Sequence, residues 1–222
     1  SSQKGSSTQK EAISEAPQFK DSHTRMLFLL KEHADRVARE HPIMSDKKLQ
    51  ELRRLKNMLK TPAARGMTPR HVMDLYAQLG KLELQQGNLD QAIVSYHNML
   101  NTLKSSGGKN KVSPAFNVAI SYTVGIAYMR RSETRNCCQR NSPDSCLLPI
   151  KDKGIHTNQE DSKQAIKYFT VVLQGAPKTS PLYLKAKWLL NIMYMTIDGY
   201  PGKVPKEYLI PPGVFESDET FP

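Results

Sequence analysis

Apolar residues recur with the period of an α-helix along most of this chain. The first two such stripes consist of Leu27, Leu30, Ala34 and Val37, and of Leu49, Leu52, Leu55 and Leu59. This spacing places the apolar side chains on one face of a helix. It predicts helices over roughly 22–40 and 45–60, which we expect to form an irregular helical hairpin, residues 21–66, at the N-terminal end of the fold. The preceding residues 1–20 are polar and are expected to form a disordered leader.

Residues 72–103 have the pattern of one tetratricopeptide repeat, a pair of antiparallel helices. Gly80 and Ala92 are the small residues that let the two helices approach closely, and Gly87 opens the turn between them. The large residues that fill the remaining space are Tyr76, Leu79, Leu89 and Tyr96. Glu83 departs from the repeat pattern, which has a tyrosine-like residue three positions after the glycine.

A second repeat follows, and it is interrupted. Gly125 and Tyr128 have the same spacing as Gly80 and Glu83, and the pattern places the turn at Ser132. The signature of the second helix, Ala165 and Phe169, comes only much later in the chain. We therefore predict an insert at about 133–160 between the two helices of this repeat, and repeat insertions emerge as loops on one face of such folds.

The third repeat is predicted to consist of its first helix alone, with Asn191 where a glycine is expected. Residues 201–222 then contain five of the 14 prolines of the chain, and proline breaks helices. The apolar residues Tyr208, Leu209 and Ile210 are expected to lie across the last helix and cover it. Each of the three repeats opens with a hydroxyl residue followed by proline, an N-terminal helix signal, at 68–69, 113–114 and 180–181.

These patterns predict an all-α protein, a right-handed tetratricopeptide-type helical solenoid with an irregular inserted loop and a Pro-rich C-terminal cap. The repeats are expected over residues 67–200, and the cap or linker over residues 201–222. On the repeat pattern, the groove positions are Lys81, Tyr122, Ile126, Met129, Trp188, Ile192 and Met195. This mostly apolar set suits an apolar peptide or helix. In the alternative interpretation, Trp188 and its neighbours pack under the C-terminal segment or the insert.

The formal charge of +11 raises the question of an anionic partner. The densest basic group lies on the second predicted helix and comprises Lys47, Lys48, Arg53, Arg54, Lys56 and Lys60. We interpret it as a solvated helix face, with polyanion binding through residues 47–60 as an alternative. The sequence contains no nucleic-acid-binding motif, no apolar run of the ~18 residues that a membrane span needs, and no recognisable catalytic set. We therefore expect neither nucleic-acid binding, nor enzymatic activity, nor a cofactor.

All three cysteines of the chain, Cys137, Cys138 and Cys146, fall inside the predicted insert. Together with His156 they offer the three thiolates and one imidazole that suit tetrahedral zinc. Their spacing matches no common zinc pattern, and adjacent cysteines chelate one ion poorly, so no metal site is expected. A metal-binding or redox module that uses these four residues is the alternative function, and a nucleophilic Cys–His pair is a further one.

Several short motifs in the C-terminal half resemble one known arrangement. They are Asn136-Cys137, Ser145-Cys146, Pro149-Ile150, residues 154–157, residues 189–191 and residues 208–212. This pattern is similar to the tetratricopeptide region that precedes FG-GAP/VCBS propeller repeats and an ASPIC/UnbV domain in cartilage acidic protein-like proteins. The resemblance covers roughly residues 70–222, with its specific motifs in 136–212, and it does not extend to residues 1–60.

The resemblance implies a non-catalytic interaction module within a larger exported protein (periplasmic, cell-surface or extracellular). The partner would be a protein or peptide, such as the adjacent propeller domain of the same chain. Export favours a disulfide bond in the insert, for which we expect Cys137 and Cys146 to pair and to add about 2–3 kcal/mol of stability. The family pattern has one cysteine after the asparagine, so the pairing of Cys138 with Cys146 remains the alternative.

Overall fold

The computed structural model describes residues 20–40, 46–61, 66–105, 113–138 and 142–215. These residues form seven α-helices, and no β-strand occurs among them, which confirms the all-α prediction. The helices are α1 (Ser22–Glu40), α2 (Asp46–Lys60), α3 (Pro69–Gln85), α4 (Leu89–Ser105), α5 (Pro114–Glu133), α6 (Glu160–Gly175) and α7 (Pro181–Thr196).

The chain divides into two compact units, residues 1–46 and 47–222. In the first unit, α1 exposes a run of five large apolar side chains, 26–30. The predicted hairpin of α1 with α2 stays a prediction. The predicted leader, 1–20, lies outside the described residues except for Lys20, and the end of the Pro-rich segment, 216–222, lies outside them entirely.

Hydroxyl side chains begin three of the helices as predicted. The side-chain oxygens of Thr68, Ser113 and Ser180 each accept a hydrogen bond from the backbone N–H three residues later, at 3.2 or 3.3 Å. Each of these residues is extended, and a proline occupies the first helical position, where no N–H is needed. The start of α3, α5 and α7 is therefore fixed locally by two-residue signals.

Two helical hairpins, α3–α4 and α5–α6, share one packing device. In the first hairpin the ring of Tyr96 lies against Gly80, where an added Cβ would be 2.7 Å from the ring carbon Cε1. In the second, the ring of Phe169 lies against Gly125, and the corresponding distance is also 2.7 Å. A side chain at either position would force the ring to shift. Both aromatic rings are fully buried, so each hairpin places a ring directly on the backbone of its first helix.

The α3–α4 connection also depends on a glycine. Gly87 has a φ of +77°, a backbone conformation that residues with a side chain rarely adopt. The N–H of Asn88 donates to the carbonyl of Glu83 at 2.9 Å and closes the end of α3. This confirms the predicted position of the turn.

The apolar core of the second unit runs through α3 to α7, with α4 packed on α5 and α6 packed on α7. A smaller apolar cluster joins Leu52 and Leu55 of α2 to Leu79 and Leu82 of α3. Two of the four leucines of the predicted α2 stripe are thus buried as expected, while Leu49 is exposed.

The prediction of a turn at Ser132 is wrong, because α5 continues through Glu133 and is extended by a π-helical turn, Thr134–Cys138. The Nδ2 group of Asn136 donates to the carbonyl of Ser132 at 2.9 Å, and the Ser132 side chain is fully buried. These contacts hold the backbone in a helical form where the repeat pattern has a turn. The segment between α5 and α6 then contains two short 3-10 turns, Pro143–Cys146 and Asp152–Gly154.

The C-terminal segment packs on α7 through Asn191. The amide nitrogen of Asn191 donates to the carbonyl of Tyr208 at 2.9 Å, and its oxygen accepts from the N–H of Ile210 at 3.0 Å. Tyr200 donates to the carbonyl of Ile210 at 2.7 Å. Asn191 replaces the expected glycine because its neighbour is a stretch of backbone that needs hydrogen bonds, whereas Gly80 and Gly125 face aromatic rings.

We expect Gly125→Ala to destabilise the protein by on the order of 1–2 kcal/mol. Overpacking against Phe169 costs typically about 1–3 kcal/mol, which exceeds the gain of about 1 kcal/mol from replacing a helical glycine. Urea unfolding measures the change. A double-mutant cycle with Phe169→Leu should show that the smaller side chain relieves part of the penalty, and a Gly125→Ala variant as stable as the parent would contradict this account.

We expect Asn191→Ala to loosen the C-terminal segment. The substitution leaves the carbonyl of Tyr208 and the N–H of Ile210 without these partners, at about 1–3 kcal/mol each when such groups stay buried. Trypsin should then cleave after Lys203 and Lys206 faster than in the parent protein. Unchanged cleavage rates at both sites would show that the segment is held by other contacts.

Candidate functional site

Two regions contain the residues that the sequence singled out, namely the insert between α5 and α6 and the surface of α5 and α7. In the first, the π-helical turn at the end of α5 carries Cys137 and Cys138. The side chain of Cys137 is half-buried and faces the insert, whereas that of Cys138 is exposed. Neighbouring residues of this turn therefore present one thiol inward and one thiol to solvent.

His156 is the partner that the fold brings to Cys137. Its backbone N–H donates to the carbonyl of Thr196 at the end of α7, at 2.8 Å, and its ring is 2% exposed. The ring atom Nε2 lies 3.3 Å from Sγ of Cys137. Burial lowers the pKa of His156 below its usual value of 6.5, so the imidazole is neutral at neutral pH.

A chain of buried hydroxyls orients the imidazole of His156. Its Nδ1 atom lies 2.8 Å from Oγ of Ser132, which is 2.7 Å from Oγ of Ser162, which in turn is 2.9 Å from Oγ1 of Thr196. The Thr196 hydroxyl also reaches the carbonyl of Met193 at 2.8 Å. The Thr196 hydroxyl donates to Ser162, and Nδ1 of His156 also lies 3.1 Å from Oγ of Ser162. Nε2 of the ring faces Cys137.

Asn136 connects the end of α5 to the returning part of the insert. Its Nδ2 group donates to the carbonyl of Asn158 at 3.0 Å, and its Oδ1 accepts from the N–H of Asn158 at 3.0 Å. This double hydrogen bond satisfies backbone groups of an irregular segment that has no helical partners of its own. The position of His156 is therefore fixed by Thr196, which accepts from its N–H, and by Asn136, which holds Asn158 two residues later.

A cavity of about 270 Å³ opens beside the Cys137–His156 pair. Its walls are Asn136, Cys137, Ser145, Thr157 and the stretch 152–156. The volume lies just below the range of about 300–1,000 Å³ that is typical of small-molecule sites. The pair thus lines a pocket that is smaller than most small-molecule sites.

The disulfide and metal interpretations of the insert depend on Cys146, whose side chain lies outside the described residues. No disulfide bond occurs among the described side chains, and the predicted pairing of Cys137 with Cys146 stays a prediction. Within the same part of the structure, no group of three or more His, Cys, Asp or Glu residues is arranged to hold a metal ion. Of the four residues in the metal interpretation, the fold brings together Cys137 and His156.

The second region is a shallow apolar pocket on α5 and α7. It has a volume of about 360 Å³ and is lined by Tyr122, Leu184, Lys185, Trp188 and Leu189. Leu184 is 58% exposed and Trp188 is 39% exposed. The ring of Phe215, from the C-terminal segment, lies on Trp188 with 5.1 Å between ring centres, so one side of the indole is covered and the other remains open.

The other predicted groove residues do not join this pocket. Lys81 is exposed on α3, and Ile126, Met129 and Ile192 are partly buried against the main core. Met195 is 1% exposed, so its side chain belongs to the interior. Of the seven predicted groove positions, Tyr122 and Trp188 line this pocket, and they do so with Leu184, which the sequence did not single out.

The basic face of α2 is partly neutralised by neighbouring carboxylates. Nζ of Lys56 lies 3.0 Å from Oε1 of Glu83, whose other oxygen accepts from the Ser95 hydroxyl at 2.6 Å. Arg54 pairs with Glu51 on its own helix at 2.7 Å. Glu83 is the residue that departs from the repeat pattern, and its buried carboxylate explains why a lysine rather than an apolar residue faces it from α2.

A charged cluster joins the first hairpin to the second. The guanidinium of Arg131 binds the buried carboxylate of Asp161 through two nitrogens, at 2.6 and 3.0 Å, and binds Asp90 of α4 at 2.7 Å. Arg135 contacts both carboxylates as well, at 3.0 Å for Asp161 and 3.1 Å for Asp90. Bidentate arginine–carboxylate contacts of this kind fix the orientation of the two groups as well as the distance between them.

No family model matches the chain, and no curated protein or solved structure matches it. In the described part of the chain, no helix combines the length and the apolar character needed to cross a membrane. The assignment of a function therefore rests on the two regions above.

The sequence revealed some of the site residues and missed others. Asn191 and Glu83 stood out as departures from a repeat pattern, and both form buried polar contacts in the structure. Ser162 and Thr196 gave no signal, and Ser132 was predicted only as a turn position, because small hydroxyl residues are common on helix surfaces and their convergence depends on tertiary packing. The inward and outward orientations of Cys137 and Cys138 required the π-helical turn, which no local sequence pattern indicates.

We expect the stability of the protein to fall as the pH drops below 6.5. Burial lowers the pKa of His156 in the folded state, so the unfolded chain takes up a proton that the folded protein does not bind. This contribution to stability is complete above the unfolded pKa and is lost as the pH falls towards the lower folded value. Urea unfolding across this range measures the effect.

The matched comparison is His97, whose pKa is also lowered, mainly by burial and further by Lys104, Arg131 and Lys167. Replacing His156 by Asn should flatten the dependence of stability on pH, and replacing His97 by Gln should remove a separate part of it. An unchanged pH dependence in the His156→Asn variant would contradict the assignment.

Proposed function

We propose that residues 67–200 form a right-handed tetratricopeptide-type solenoid that serves as a non-catalytic protein-binding module of a larger exported protein. Three observations support the proposal. The Gly–aromatic contact recurs in both hairpins, a Ser/Thr-Pro signal opens each predicted repeat, and Asn191 holds the C-terminal segment where a further helix would pack. The family resemblance supports the exported context and a propeller domain of the same chain as a candidate partner.

The observation that carries the binding proposal is the open pocket of Tyr122, Leu184 and Trp188. Helix-lined grooves of this kind bind protein segments by taking up large apolar side chains. Aromatic residues provide large contact areas at low conformational-entropy cost, and they are enriched at binding hot spots. An exposed leucine beside a half-open indole is a surface of this type.

The charge around the pocket indicates the chemistry of the partner segment. Lys185 lines the pocket itself, and the whole chain carries a formal charge of +11. Opposite charges across an interface raise the association rate and select the partner. The proposed ligand is therefore a protein segment with a large apolar residue next to carboxylates.

Trp188 is the only tryptophan of the chain, so its fluorescence reports on this pocket alone. The test is a selection from a library of displayed peptides, with the parent protein as the target. The library peptides contain Leu or Phe between Asp and Glu residues. Selected peptides are then synthesised and titrated while the Trp188 emission is followed. We expect a blue shift on binding, because the peptide removes the open side of the indole from water.

Leu184→Glu is the decisive variant, since it places a carboxylate in the pocket at a largely exposed position. We expect it to weaken peptide binding at least about tenfold. The variant loses the apolar contact area of Leu184, and its new carboxylate repels the carboxylates of an acidic ligand. Val94→Glu on α4, with nearly the same exposure (57%), is the matched control and should bind normally. Peptides that bind the Leu184→Glu protein as tightly as the parent would refute the pocket assignment.

A further inference from the structure

We propose that residues 216–222 of this chain bind in the pocket of α5 and α7, where they compete with the partner segment. The inference deepens the proposed function and rests on it for the kind of segment that the pocket takes up. Residues 216–222, with the sequence ESDETFP, lie outside the described residues and follow directly on Phe215, the last of these.

The composition of this segment matches the chemistry of the pocket. Its seven residues include three carboxylates, no basic side chain and one large apolar side chain, that of Phe221. Helix α7 carries Lys185 and Lys187 and no acidic residue, and Lys185 lines the pocket itself. Opposite charges across a contact select the segment that binds, and the exposed apolar surface of Leu184 suits a phenyl ring.

The contacts of Phe215 bring the start of the segment to the edge of the pocket. The ring of Phe215 lies 5.1 Å from the ring of Trp188 and 5.8 Å from that of Tyr200, measured between ring centres. Tyr200 is itself held by its hydrogen bond to the carbonyl of Ile210. The indole that Phe215 contacts is therefore also a wall of the pocket that Phe221 would enter.

The length of the segment is sufficient for this arrangement. A ring on the open side of the indole, at the same spacing as Phe215, would lie about 10 Å from Phe215. Phe221 is six residues further along, and six extended residues span up to about 20 Å. A segment tethered this closely has an effective concentration in the millimolar range, so even a weak intrinsic affinity suffices for binding.

Trp188 reports on this contact without any added peptide. The test compares the Trp188 emission of the parent protein and of Phe221→Ser, together with its quenching by acrylamide, which is uncharged. We expect Phe221→Ser to shift the emission to the red and to raise the quenching constant, because the open side of the indole returns to water. Val214→Ser, which removes a 60% exposed apolar side chain from the same part of the chain, is the matched control and should change neither quantity.

Two further variants locate the contact and its charge dependence. In the Leu184→Glu background, Phe221→Ser should have no further effect, because the pocket has already lost the segment. The triple variant Glu216→Gln, Asp218→Asn and Glu219→Gln should expose Trp188 in part. Added salt should expose Trp188 in the parent protein and have little effect in the triple variant, which has no carboxylate left to screen.

The peptides selected for the proposed function give the second measurement. We expect them to bind Phe221→Ser at least about threefold more tightly than the parent, since a pocket that is free one third of the time binds a competitor threefold more weakly. Peptides that bind neither protein would refute the proposed function alone. The quenching comparison, which uses no peptide, then still decides the present inference.

Three results would overturn the inference. One is a Trp188 emission and quenching constant that Phe221→Ser does not change, or changes no more than Val214→Ser does. The second is an effect of Phe221→Ser that is equally large in the Leu184→Glu background, because the segment would then act elsewhere. The third is a quenching constant of the parent that depends on protein concentration, which would place the segment on a second copy of the chain.

Discussion

The hairpins α3–α4 and α5–α6 each depend on a direct contact between an aromatic ring and the backbone of a glycine. Gly80 and Gly125 lack a Cβ atom, which lets the rings of Tyr96 and Phe169 contact the backbone of the first helix of each hairpin. The ring then sets the distance between the two helices, since protein interiors tolerate little change in volume. Ala92 and Ala165, one turn before these rings, are fully buried and small enough for this separation.

The insert shows how an irregular segment is accommodated within such a pair of helices. Outside its two short 3-10 turns, its backbone groups need hydrogen-bond partners from elsewhere. Asn136, at the end of α5, and the carbonyl of Thr196, at the end of α7, provide them. The insert interrupts the repeat in sequence and at the same time links α5, α6 and α7 through one buried polar network. The anchoring of the insert and the approach of His156 to Cys137 thus depend on the same contacts.

The sequence predicted those features that depend on local signals. The hydroxyl-proline starts of α3, α5 and α7, the glycine turn at 87 and the helix-packing residues 80, 96, 125 and 169 each follow from residue types at fixed spacing. The continuation of α5 past Ser132 was missed, because it depends on Asn136 and on partners from α6 and from the insert. Of the predicted groove residues, Tyr122 and Trp188 line one pocket and the others do not, since a repeat pattern gives the face of a helix but not what covers it.

The Arg131 cluster links the two hairpins through two contacts that respond differently to salt. Its Asp161 arm is buried, whereas its Asp90 arm has 64% of the aspartate side chain exposed. Salt screens exposed ion pairs strongly and buried ones much less. The Arg131–Asp90 contact therefore weakens as ionic strength rises, while the Arg131–Asp161 contact keeps most of its strength. Raised salt thus weakens one link between α4 and α5 and leaves the apolar contacts between these helices in place.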